Sequence, residues 1–157
     1  MKKKLLVCVM AAAALFAVTG CTNNNNPETT TTAQADKKLA CNASLDGETL
    51  RITLTYDGDS IKKAVYSMSE KQKDEKAAKK EYENRGEDVK KFNAYKGLSV
   101  NSSYSGTLVS ASFSFTVADM DDDAKGLYNE FLGEIKDKNL NDAKSALIDA
   151  GYSCTES

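Results

Sequence analysis

The sequence predicts an α+β domain: one antiparallel sheet with a long helix and a C-terminal helix on its apolar face, in the order β-β-β-α-β-β-α. Three observations carry this. Apolar and polar residues alternate over 48–56 and again over 109–117, the period of a strand with one buried face. Asp46-Gly47, Asp57-Gly58 and Ser105-Gly106 mark turns between alternating runs. Between the two sheet segments lies a Lys- and Glu-rich stretch whose few apolar residues recur at helical steps.

Strands are expected at 39–46, 48–56 and 60–68. In the second, Leu50, Ile52, Leu54 and Tyr56 share one face, with Arg51, Thr53 and Thr55 on the other. A long helix is expected from a Ser69 N-cap to Lys96, with Ala78, Tyr82, Val89 and Phe92 inward, a bend at Gly86 and an end at Gly97. Leu98 and Val100 begin the second sheet segment. There Val109, Ala111, Phe113, Phe115 and Val117 oppose Ser110, Ser112, Ser114 and Thr116. The last helix runs from an Asn139 cap to Gly151, with Leu140, Ala143, Leu147 and Ile148 inward.

Ahead of this domain, assigned to residues 39–157, the chain reads as a secretory precursor. Lys2, Lys3 and Lys4 precede 14 apolar residues, Leu5 to Val18, a run too short for a spanning helix. Val18-Thr19-Gly20-Cys21 resembles the bacterial lipobox, in which the cysteine is acylated and becomes the mature N-terminus. Residues 1–20 are therefore the expected lipoprotein signal, Cys21 the lipid attachment point and 21–38 a solvated tether. The tether's Asn and Thr have nothing to bury. Several acyl chains hold a protein stably on a membrane, so the domain is expected outside the cytoplasm on a cell membrane or outer membrane. Cys8 leaves with the signal.

Removal of the signal leaves 18 basic and 23 acidic residues, a formal charge of −5. That balance disfavours nucleic acid, whose binding rests on clustered Lys and Arg. The chain has no histidine and no tryptophan. Imidazole acid–base chemistry and imidazole metal ligation go with the histidines, and no cofactor is expected.

The element order, Tyr95-Lys96-Gly97-Leu98 at the helix-to-strand junction and Asp149-Ala150-Gly151-Tyr152 after the last helix resemble the YehR-like bacterial lipoproteins. The resemblance implies this fold and a surface lipoprotein, and it carries over no catalytic residue. The Asn/Thr tether and the cysteine pair below depart from that pattern.

Cys41 and Cys154 bracket the domain, and an even pair in an exported chain suggests a structural disulfide. They lack the Cys-x-x-Cys spacing of redox centres. Asp119, Asp121, Asp123 and Glu130 occupy positions one, three, five and twelve of a calcium loop. Position six is Ala124 where Gly belongs, so the acids read better as a loop before a short helix, near its positive end. Ser60 and Lys63 fit Ser-x-x-Lys without the companion motifs of that enzyme class. The sequons at Asn42 and Asn101 carry no weight in a bacterium. The tyrosines read as core, and the Ser110–Thr116 polar face as solvated or as a binding surface. The function these features predict is a non-catalytic binding or envelope module on a lipid anchor. The other reading is a calcium-binding or carboxylate-dependent envelope enzyme.

Overall fold

A computed structural model describes residues 36–45 and 47–157. The signal, Cys21 and tether positions 22–35 lie outside the described residues. The elements are β1 (Lys37–Leu45), β2 (Glu48–Asp57), β3 (Ser60–Lys71), α1 (Glu75–Phe92), β4 (Leu98–Ser105), β5 (Leu108–Thr116), a 3-10 turn (Val117–Asp119), α2 (Asp122–Leu132), α3 (Leu140–Asp149) and β6 (Ser153–Glu156).

The strands form one antiparallel sheet in the order β4-β5-β3-β2-β1-β6. Side chains alternate between its faces, so residues paired across strands line up in rows. Leu39, Leu54, Ala64, Phe115 and Leu98 form one row; Cys41, Ile52, Tyr66, Phe113 and Val100 form the next. Both belong to a single core that also takes in Tyr128, Leu132, Ala143 and Leu147 from the helices. Full burial of each large apolar side chain contributes about 1.5–3 kcal/mol. The opposite face presents Arg51, Lys63, Ser99, Asn101 and Ser103 exposed.

The expected order is met except at four places. First, α1 starts at Glu75, not after Ser69. Ser69 instead continues β3, paired with Thr49 and Ser110, and Asp74 caps the helix by accepting from the Ala77 N–H at 2.7 Å. Its end also comes earlier, at Phe92, with Gly86 inside an unbroken helix. Second, α2 is a full helix of 11 residues. Third, β6 adds a sixth strand after α3, where the sequence predicts no further element. It pairs with β1, and Lys38 and Ser157 exchange backbone hydrogen bonds, so β1 begins at Lys37, before the tether's expected end at 38. Fourth, Ile148 is 48 % exposed, because the inward stripe of α3 is Leu140, Ala143 and Leu147.

Gly97 sits where two connections cross. Its φ of 77°, a left-handed value, excludes most side chains, and a Cβ there would lie 2.6 Å from the Met120 nitrogen. The Gly97 carbonyl accepts from Thr116 N–H at 2.8 Å, which ties the loop before β4 to the end of β5. Next to it, the Asn93 side chain donates to the Val100 carbonyl and accepts the Val100 N–H, both at 2.7 Å, along the free side of β4.

The candidate binding cleft

The sheet is roofed in two parts. α1 packs on β4 and β5. Beneath it, Arg85 is 3 % exposed and reaches Glu81 at 3.0 Å and Glu70 at 3.5 Å. Only about 30 Å³ of space remains between α1 and the sheet there. α2 and α3 roof the remainder, and they leave a cleft of about 460 Å³ over Ile52.

Local chemistry fixes each wall of that cleft. α2 starts because Asp121 caps it, accepting from Ala124 N–H at 2.8 Å, and it buries Ala124, Tyr128 and Leu132 at steps of four. Phe131 stacks on Tyr66 with centroids 5.0 Å apart and rings 13° from parallel, and it also packs on Phe113 at 4.9 Å. α3 starts at an Asn139 cap, whose side chain accepts from Asp142 N–H, and it brings Ala146 and Leu147 to the other wall. Tyr152 closes that wall, half-buried, and burial raises its hydroxyl pKa. Asn129, Glu130 and Glu134, all exposed, line the opening. No ion pair or hydrogen bond engages the carboxylate of Glu130 or Glu134 among the described residues.

Cys41 and Cys154 form a disulfide across β1 and β6, with their Cα atoms 4.1 Å apart. Lys38–Ser157 is a hydrogen-bonded pair, so by alternation Cys41–Cys154 is the closer, non-hydrogen-bonded kind. The bond lies next to the cleft, since β6 follows Tyr152 directly.

The acidic set does not come together. Asp119 ends the 3-10 turn, Asp123 lies in the first turn of α2, and Glu130 sits two turns further along the same helix. A calcium loop needs irregular backbone over positions that are helical here. Asp121 spends both carboxylate oxygens on backbone: Oδ1 on Ala124 N–H, and Oδ2 on Lys96 N–H at 2.7 Å. These bonds lower its pKa, the Ala124 N–H being the larger cause and Lys96 the next. No group of three or more acids or cysteines capable of holding a metal gathers among the described residues.

Ser60 and Lys63 sit on β3 either side of a bulge at Lys62, Ser60 exposed as its first residue, paired with Asp57, and Lys63 on the open face. That face holds a shallow polar groove bordered by Lys63, Ser99, Asn101, Ser114 and Thr116. Tyr56 and Tyr128 are core residues, their pKa values pushed up to about 12 by burial, as is that of Tyr66. The Tyr128 hydroxyl is buried with no hydrogen-bond partner among the described residues.

Sequence reading missed Arg85 and the cleft. Arg85 had a signal: it is three residues after Tyr82 and four before Val89, squarely on the helix's apolar stripe. α2 had one too, in the four-residue steps from Ala124 to Leu132.

No protein-family model matches the chain, and no curated protein sequence is significantly similar to it. Two solved structures are similar in fold. A protein from Streptococcus pneumoniae, solved by NMR, aligns with a TM-score of 0.59 at 14 % identity, over 94 % of this chain and 98 % of its own. The YehR protein of Escherichia coli, also solved by NMR, aligns with a TM-score of 0.55 at 17 % identity, over 76 % of this chain and 91 % of its own. The fold is thus YehR-like. At such identities the likeness concerns the fold alone.

Proposed function

We propose that the protein is a bacterial lipoprotein of the cell envelope, anchored through lipid on Cys21, and that its domain works by binding rather than catalysis. One observation carries the anchor: Val18-Thr19-Gly20-Cys21 stands directly behind a basic start and a 14-residue apolar run. The Cys41–Cys154 disulfide supports an exported location, because such bonds persist in oxidising compartments. The first strand begins at Lys37, which leaves a polar stretch after Cys21 to serve as the leash. Binding is favoured by the cleft, and by acids that are spread over the surface or, like Asp74 and Asp121, spent on helix caps rather than paired for proton transfer.

The test is labelling of a bacterial host that expresses the full chain. The wild-type chain should incorporate radiolabelled palmitate and sediment with membranes, while Cys21→Ser should do neither. A wild-type chain that stays unlabelled, or a Cys21→Ser chain that takes up label, would sink the anchor. The binding role is read by crosslinking the tethered domain in intact envelopes, where a saturable small-molecule or protein adduct at the cleft is the expected result.

A further inference from the structure

We infer that the cleft between α2 and α3 takes a small organic cation, with an apolar body against the floor and a positive group beside Glu130 and Glu134. The inference rests on reading the domain as a binding module, and it adds the class of ligand.

Shape comes first. About 460 Å³ is within the range of small-molecule sites. Ile52, Leu132 and Leu147, each almost fully buried, form the base, Phe131 and Tyr152 stand half-buried beside them, and Asn129, Glu130 and Glu134 make the rest of the lining polar. Charge decides between ligands of that shape. Glu130 and Glu134 lie at the opening and have no cationic partner among the described residues. Both helices also run their C-terminal turns along the cleft, where carbonyl groups concentrate partial negative charge. Basic residues usually offset that charge in the last turn. Neither α2 nor α3 carries one there; the last turn of α2 holds Glu130 and α3 ends on Asp149.

The other half of the roof handles its charges differently. α1 has Lys90 and Lys91 in its last turn, and Arg85 pairs with Glu81 of the same helix and Glu70 of β3. The two helices on the side that has the space thus lack the basic last turn that α1 carries. An anion there meets the repulsion of two carboxylates and two helix C-termini, and a neutral molecule gains nothing from either. A cation is drawn both by the carboxylates and by the helix ends.

Three eight-carbon probes separate shape from charge: octylamine, protonated at pH 7, octanol and octanoate. Each is titrated by NMR into the unlipidated full chain (Cys21→Ser). Octylamine should saturate with shifts centred on Phe131, Ala146 and Tyr152, and bind at least tenfold more tightly than octanoate. Glu130→Gln/Glu134→Gln should weaken it at least fivefold and flatten its dependence on salt. Equal binding of octanoate, undiminished binding by the double variant, shifts away from the cleft, or no saturable binding of octylamine would each overturn the assignment. A chain that takes up no palmitate yet discriminates the probes in this way would refute the anchor and support the cleft.

Discussion

The two parts of the roof do the same job with opposite materials. α1 is Lys- and Glu-rich and seals its side with one buried arginine, so almost no space is left beneath it. α2 and α3 are more apolar, yet they leave the larger opening and are held down by a disulfide at the sheet edge. Apolar content therefore does not predict tight closure. A long helix lies across its strands and can be fitted residue by residue. Two short helices joined at 133–139 meet the sheet at separate points, and the wedge between them stays open.

Each of the following perturbations strikes one half. The largest effect is expected from Cys41→Ala/Cys154→Ala. The bond closes a loop of more than a hundred residues, and its loss should lower stability by about 4 kcal/mol in urea unfolding. Amide exchange should locate the damage in α3 and β6 and leave α1 protected; uniform loss would erase the division into halves. Arg85→Ala comes next. It removes hydrogen bonds to two carboxylates beneath α1, and should lower stability by about 2–3 kcal/mol. Arg85→Lys should recover little of that, since an ammonium cannot span both glutamates. A fully stable Arg85→Ala would make the ion cluster incidental.

Alkaline titration acts on the other half. Tyr56, Tyr66 and Tyr128 pack with α2 or its end, and their hydroxyls are pushed up to about 12 from 10.0. Between those values the unfolded chain releases protons that the folded chain keeps, so stability is full below pH 10 and falls as pH rises toward 12. The urea midpoint should drop over that window, and Tyr128→Phe should shallow the drop. The smallest effect is expected from Glu130→Gln/Glu134→Gln: stability within about 0.5 kcal/mol of the parent, or slightly above it. A large destabilisation would assign these acids to holding α2 in place.

The sheet was legible because period-two patterning ran through whole strands and the turn pairs stood at their ends. Ser69 misled the helix boundary, since a serine that suits an N-cap equally suits the small, half-polar face of β3. β6 escaped because four residues carry too little pattern, although the cysteine pair already implied that the chain's end returns to β1. The cleft was illegible for another reason. Its walls come from residues 52, 129–135 and 146–152, which only the sheet register and the two helix caps bring together. Glu130 stands in the sequence at position twelve of a calcium loop, an arrangement the helix does not allow.

Asn93 has a consequence at the scale of many molecules. A sheet whose outer strand presents free N–H and C=O groups invites a neighbouring chain to dock along it, and such docking propagates. Here one amide side chain fills the middle of that seam on β4, while Tyr95 accepts from Leu98 N–H just before it. At the other border, β6 is four residues long, and by alternation only the backbone groups of Cys154 and Glu156 face outward. Neither border offers a continuous template. A neighbouring copy would find only short stretches of free backbone to pair with at either border.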